Sequence, residues 1–346
     1  MNFPQFISFT VTNACNLRCR MCGQWSEEGY IKNNTIKTGK SLSVADWKRL
    51  VDEISQHKIR FILVRGGETF LYPGLMELLE YINSKRIFLS IDTNGTVMAK
   101  YAEDLVRMGN MHITFSVDGP EEIHDSVRGI KGSFCKTKET IALLNEIEQR
   151  TGRVLSKSIC FTISKYSYKG LGAMPEVARS MGITSINKVP YYHYSSDVGK
   201  IYDEELETNF NRKGFSWKGF HHDDSGIDFD VFIEELKRYK SNLNGIEDFP
   251  YMPMTDVEYK TWFTDSITPV GLPQCQNVEN LIDIQPDGEA NFCVDFPDYS
   301  IGNVRNKTIQ EIWDSPEAVK FRNYRREKPL AICYRCGAKY ISEIKG

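Results

Sequence analysis

From residue 6 to about residue 192 the chain repeats one pattern: a short β-branched or aromatic run, a turn, then a stretch with apolar residues at helical spacing. The runs at 6–12, 60–65, 87–92, 112–117, 156–163 and 185–189 predict strands, and the stretches at 44–55, 74–84, 98–108, 136–150 and 170–181 predict helices. Strands alternating with helices imply parallel βαβ units, hence an α/β fold. The rhythm stops near Tyr191. From there to about Leu272 the chain is aromatic and mixed in charge, with one helix candidate at 229–240 and a proline-containing stretch, FPYMPM, at 249–254. Regular patterning returns at 281–285 and 289–294, which flank Pro286-Asp287-Gly288 and predict a β-hairpin with its turn at the glycine. A helix over 308–324, with Trp313 and Phe321 among its apolar positions, follows.

Composition narrows the function only by exclusion. The 346 residues are 41% hydrophobic and 26% charged, with a net charge of -3. Nothing here resembles a nucleic-acid footprint or a membrane-surface patch, so neither partner is expected. The apolar run at 6–11 is too short for a signal segment and no run of about 18 apolar residues occurs, which places the protein in the cytoplasm by expectation. Nine cysteines are an odd count, and their spacings are those of ligands rather than of a disulfide scaffold.

Three of them, Cys15, Cys19 and Cys22, form a C-x3-C-x2-C array in TNACNLRCRMCG directly after the first strand candidate. Thiolates within so short a loop can close on one soft metal centre, either an iron-sulfur cluster or zinc. Three ligands leave one position open, as a site that binds substrate or cofactor does. A zinc loop closed by a distant Cys or His is the alternative.

This motif resembles that of the radical S-adenosylmethionine (SAM) enzymes, in which three cysteines hold a 4Fe-4S cluster whose fourth iron chelates SAM. The aromatic residue usual before the third cysteine is Met21 here, which leaves the ligands intact. The resemblance implies a partial (β/α)6 barrel with ligands at the C-terminal strand ends. It also implies SAM contacts from Gly66-Gly67-Glu68 after the second strand, Asn94 after the third, and Ser116 and Arg128 after the fourth. Arg128 would pair with the SAM carboxylate, for which a guanidinium is suited. On their own, Gly-Gly-Glu, Asn-Gly and Asp-Gly are turn formers. His124 reads as structural, and His221-His222-Asp223-Asp224 as a solvated loop, because adjacent residues rarely converge on one ion. The polar stretch at 25–40 reads as a loop able to cover the site.

Cys275, Cys293, Cys333 and Cys336 form a second group, with Cys275 before the hairpin and Cys293 in its second strand. Together with Ile301-Gly302-Asn303-Val304, Glu311-Ile312-Trp313 and the closing C-x2-C, they resemble the twitch domain, a shortened SPASM domain that carries one auxiliary 4Fe-4S cluster. A zinc ribbon on the same four cysteines is the alternative. The expected organisation is a barrel over 1–192, a connecting and pocket-forming segment over 193–270, and an auxiliary-cluster domain over 271–346.

The resemblance implies reductive SAM cleavage to a 5'-deoxyadenosyl radical, an electron donor such as flavodoxin or ferredoxin, and hydrogen abstraction from a small-molecule or short-peptide substrate. Because the first strand begins at residue 6, an amino-terminal peptide-recognition domain is not expected. Net oxidation assisted by the auxiliary cluster is the favoured outcome. Epimerisation or peptide cross-linking is the alternative, and for epimerisation Cys135 and Cys160 are the candidate hydrogen donors. A non-catalytic SAM-binding iron-sulfur protein is the non-enzyme reading.

Overall fold

The computed structural model describes residues 3–34, 40–59, 61–249, 252–272 and 274–338. Position 60, expected to open the second strand, positions 250–251 of the proline-containing stretch and positions 35–39 of the loop after the cysteine motif lie outside the described residues.

Six strands form close to where the periodicity puts them: β1 (Phe6–Thr10), β2 (Phe61–Arg65), β3 (Phe88–Thr93), β4 (Met111–Ser116), β5 (Ser156–Ile163) and β6 (Ser185–Pro190). They pair in parallel and in chain order. Between them run α1 (Val44–Gln56), α2 (Leu75–Ser84), α3 (Ala102–Met108), α4 (Glu121–Arg128), α5 (Ser133–Thr151) and α6 (Met174–Ser180). A capping box starts α1, where Ser43 accepts from Asp46 N–H and Asp46 accepts from Ser43 N–H. The stretches expected as helices at 98–108 and 170–181 open as 3-10 turns before turning α-helical, and α4 was not expected at all.

Strand parity divides the barrel into an outer and an inner face. Ile7, Phe9, Ile62, Val64, Leu89, Ile91, Ile113, Phe115, Ile159 and Phe161 are fully buried in the main core. Burying each such side chain contributes about 1.5–3 kcal/mol, and this layer holds the helices to the sheet. The opposite parity carries Ser8, Thr10, Arg65, Asp92, Thr114, Ser116, Ser158 and Cys160, so the interior of the barrel is polar.

The rest of the chain comprises α7 (Ser196–Phe210), α8 (Phe229–Ser241), β7 (Glu247–Asp248), α9 (Asp256–Thr264), α10 (Asn277–Asn280), β8 (Leu281–Ile284), β9 (Glu289–Asn291), β10 (Gly302–Asn303), α11 (Ile309–Trp313) and α12 (Pro316–Glu327). Two expectations change here. The helix expected over 308–324 is two helices, because Pro316 cannot continue a helix and Ser315 caps a new one by accepting from Ala318 N–H. Strand β9 ends at Asn291, so Cys293 lies in the loop beyond it.

The hairpin also does not stand apart from the barrel. Strand β8 pairs in parallel with β1, from Phe6↔Leu281 to Phe9↔Ile284, and β7 pairs in parallel with β6. The result is one ten-stranded sheet ordered β10-β9-β8-β1-β2-β3-β4-β5-β6-β7.

Candidate functional site

The cysteine loop leaves β1 and is held from two sides. Hydrogen bonds from Gly67 N to Thr12 O and Glu68 N to Ala14 O, both 2.8 Å, tie it to the end of β2. Arg18 N to Arg128 O at 3.1 Å and Arg20 N to Val127 O at 2.9 Å tie it to the end of α4. The glycines are there for proximity: a Cβ on Gly66 would lie 2.6 Å from Thr12 O, and one on Gly67 2.5 Å from Ala14 O. Part of the connecting segment also packs on the loop, with Gly23 against the Phe220 ring and Gly219 against the Gly23 carbonyl.

Cys15, Cys19 and Cys22 are close enough to perturb one another electrostatically. Burial pushes the thiols of Cys15 and Cys19 up to about 11. Binding an electropositive centre therefore releases protons. Arg128 Nη1 lies 3.7 Å from Cys19 Sγ, and Nη2 lies 2.6 Å from Asp118 Oδ2 in a buried ion pair. Its Nε is buried with no hydrogen-bond partner among the described residues. Asp118 also accepts from Thr162 N–H at 3.0 Å, joining β4 to β5.

The other expected SAM contacts are placed as follows. Both carboxylate oxygens of Glu68 are occupied within the chain, accepting from Phe70 N at 3.0 Å, Thr93 Oγ1 at 2.7 Å and Asn94 N at 2.8 Å. The Asn94 side chain donates to Asn16 Oδ1 at 3.0 Å and accepts from Thr96 N at 2.9 Å. Both residues thus brace the loop after β3 against its neighbours. Ser116 pairs with Cys160 in the β4–β5 register, so the two share the interior face.

The two candidate hydrogen donors separate. Cys160 lies on the interior face, where burial raises its thiol to about 12 and keeps it protonated. Cys135 is exposed and its thiol donates to Glu121 Oε1 at 3.4 Å, so it does not reach the barrel interior. Helix α5 begins two residues earlier, which puts Cys135 in its first turn on the outside. His124 is structural, accepting from Asp118 N–H through Nδ1 at 3.2 Å and stacking edge-on against Phe134. His221 bonds Ser196 Oγ at 2.9 Å in a partly exposed loop.

A second set of interior groups was not anticipated. Arg65 is partly buried and pairs with Asp295 at 2.8 Å, and Asp92 and Asp283 also act on it electrostatically. Tyr192 Oη donates to Asp295 Oδ2 at 3.0 Å, and Thr10 Oγ1 donates to Asp283 Oδ1 at 3.3 Å. Burial raises the Asp283 carboxyl to about 6 and raises Asp92 as well. The signal for Arg65 and Asp92 was present as charges at interior parity in strands. Asp283 and Asp295 become neighbours only through the β1–β8 pairing.

Cys275, Cys293, Cys333 and Cys336 line a cavity of about 40 Å³ whose other walls include Leu272, Phe292, Phe296 and Ile332. Arg325, buried beside them, acts electrostatically on all four thiols and favours their anionic form. Arg335 fixes the closing loop by donating to the carbonyls of Trp262 at 2.9 Å and Thr268 at 2.7 Å. Among the described residues no three His, Cys, Asp or Glu side chains converge tightly enough for a single metal ion. A three-thiol loop beside Arg128 and a cavity lined by four thiols beside Arg325 fit iron-sulfur clusters.

Two cysteine groups, one at the mouth of a partial barrel and one on the module that extends its sheet, define an iron-sulfur protein of the α/β partial-barrel class. Family models agree: that of the radical SAM superfamily matches residues 9–163 and that of an iron-sulfur cluster-binding domain, SPASM, matches residues 275–337. The chain belongs to the radical SAM superfamily and carries a C-terminal SPASM-type domain; its cofactors are SAM and 4Fe-4S clusters. It is 24% identical over 357 residues to the antilisterial bacteriocin subtilosin biosynthesis protein AlbA of Bacillus subtilis, covering 99% of this chain and 68% of AlbA. It is likewise 24% identical over 359 residues to the Fe-coproporphyrin III synthase of Methanosarcina barkeri, covering 98% of this chain and 82% of that protein. In fold it resembles Streptococcus suis SuiB bound to its precursor peptide SuiA, with a TM-score of 0.67 and 15% identity over 100% of this chain and 74% of SuiB. No helix among the described residues is long and apolar enough to cross a membrane.

Proposed function

We propose that this chain is a radical SAM oxidoreductase that removes two hydrogens from a short peptide, using its auxiliary cluster to accept an electron. When bound, the reduced cluster and SAM supply a 5'-deoxyadenosyl radical that takes hydrogen from an unactivated C–H bond. Cys15, Cys19 and Cys22 hold the first cluster in this reading, and Cys275, Cys293, Cys333 and Cys336 the second. The reducing electron comes from a donor such as flavodoxin or ferredoxin. Arg128, whose Nε is a buried donor without a partner among the described residues, would hold the SAM carboxylate, and Ser116 would contribute to the same site. Gly66, Gly67, Glu68 and Asn94, on the loops after β2 and β3, would line the rest of the SAM site.

The observation that carries the oxidation reading is the Arg65–Asp295 pair. Asp295 lies two residues after Cys293, so it links the auxiliary thiol loop directly to the polar interior of the barrel. An auxiliary cluster held by that loop would accept the electron that leaves the substrate, and Asp283 would take the accompanying proton. AlbA and SuiB, by name peptide-related, support a peptide substrate.

A second reading has its own observation. Cys160 faces the interior as a protonated thiol, the form that returns a hydrogen atom in epimerisation. Turnover in deuterated water separates the two. An oxidised product is two hydrogens lighter; an epimerised one keeps its hydrogen count and carries solvent deuterium, lost in Cys160→Ala. The latter result would overturn the oxidation reading. Absence of 5'-deoxyadenosine after reduction would overturn both and leave a non-catalytic iron-sulfur protein.

A further inference from the structure

We propose that the barrel interior between β1, β2, β3 and β8 recognises a cationic group of the substrate, a protonated amine or guanidinium such as a basic peptide side chain carries. This deepens the reading above and rests on it. The guanidinium of Arg65 acts electrostatically on three carboxylates, Asp92, Asp283 and Asp295, and among the described residues it is within ion-pair distance of Asp295 alone, at 2.8 Å. One positive charge against three negative ones leaves an excess of two when all are ionised. The other polar neighbours of Asp283 among the described residues, Ser8, Thr10 and Gln285, are neutral. Excess negative charge in a cluster whose centre, Asp283, is fully buried is costly unless a counter-charge arrives or a proton is taken up. The raised Asp283 carboxyl registers that cost.

Asn291 supplies an independent observation. It stands directly opposite Asp283 in the β8–β9 register, so the two side chains project from the same face. It is 1% exposed, and neither its Oδ1 nor its Nδ2 has a hydrogen-bond partner among the described residues. A buried amide so completely unpartnered marks a place where another molecule's polar group belongs. Its oxygen, beside a carboxylate, suits the N–H of a cation, and an anionic group would be repelled. These residues lie below the expected SAM site: Arg65 is the last residue of β2 and Asp92 the last but one of β3, whereas Gly67 and Asn94 follow two residues further on.

The test uses two probes that differ only by the terminal ammonium, Nα-acetyl-L-lysine amide and Nα-acetyl-L-norleucine amide, titrated anaerobically into the SAM-loaded, cluster-reconstituted protein by calorimetry. The lysine probe is expected to bind at least about tenfold more tightly than the norleucine probe. Asp283→Asn and Asn291→Leu are each expected to weaken the lysine probe about tenfold, with iron content certifying that the variants are folded. Equal binding of the two probes, no binding of the lysine probe at millimolar concentration, or unchanged binding in both folded variants would each overturn the proposal. The comparison of probes on the wild-type protein decides it even where a variant fails to fold. SAM cleavage by the reduced wild-type protein is read separately. Probe discrimination without cleavage removes the proposed enzyme and keeps the site, and cleavage without discrimination does the reverse.

Discussion

Replacing Gly67 by alanine should dislodge the cysteine loop. The new Cβ would stand 2.5 Å from Ala14 O, 2.6 Å from Asn13 O and 2.9 Å from Ala14 C. All three are backbone atoms, so no side chain can rotate out of the way. The two segments are moreover tied together by Gly67 N to Thr12 O and Glu68 N to Ala14 O. Reaching ordinary van der Waals separation moves them apart by roughly 1 Å, at a cost of about 1–3 kcal/mol for overpacking. For a chain of this size that lowers the midpoint of thermal unfolding by about 1–4 °C. The functional effect is sharper, because Cys15 follows Ala14 immediately and carries the shift into the ligand set. Anaerobic reconstitution followed by iron analysis and differential scanning calorimetry is the assay. The expected result is iron falling from about eight per chain toward four, with the C-terminal cluster retained. A Gly67→Ala protein with wild-type iron content and an unchanged midpoint would refute the packing of this loop against the β2 turn.

Further outcomes follow from the same geometry. Arg128→Ala leaves Asp118 buried without its partner and should cost about 3–5 kcal/mol in stability; SAM affinity, measured by equilibrium dialysis, should fall, and unchanged affinity would assign Arg128 to structure alone. Replacing Cys15, Cys19 and Cys22 together by alanine should remove one cluster's iron and abolish 5'-deoxyadenosine formation, so undiminished cleavage would rule out their assignment. Cys275, Cys293, Cys333 and Cys336 should account for about four irons; one zinc per chain in their place, measured by plasma mass spectrometry, would contradict the cluster reading. Asp283 has a folded-state pKa raised from 3.8 to about 6, so the folded protein binds its proton more tightly than the unfolded chain does. Its contribution therefore becomes unfavourable as pH rises from about 4 to 6 and stays so above, by up to about 3 kcal/mol. Asp283→Asn should accordingly gain stability over the wild type across that window, and a constant difference from pH 4 to 8 in urea unfolding would contradict the buried carboxylate.

The local rhythm of the chain was enough to place six parallel strands, the helices between most of them and the first cysteine group at a loop position, because side-chain parity and helical period are properties of neighbouring residues. The same locality explains the errors. A helix run through Asp314-Ser315-Pro316 ignored the cap and the proline, and Cys135 looked well placed beside a strand end until the fold turned it outward. What the sequence determined by itself is the identity and spacing of the thiols and the glycines at 66 and 67, since a short loop brings its own ligands together whatever surrounds it. Only the tertiary structure decided the rest of the site. The pairing of β8 with β1 joins residues more than 270 positions apart and sets Asp283, Asn291 and Asp295 around Arg65. Each of these looks like an ordinary hairpin or loop residue in the chain, and its burial, its charge environment and its chemistry are fixed by partners that no local pattern encodes.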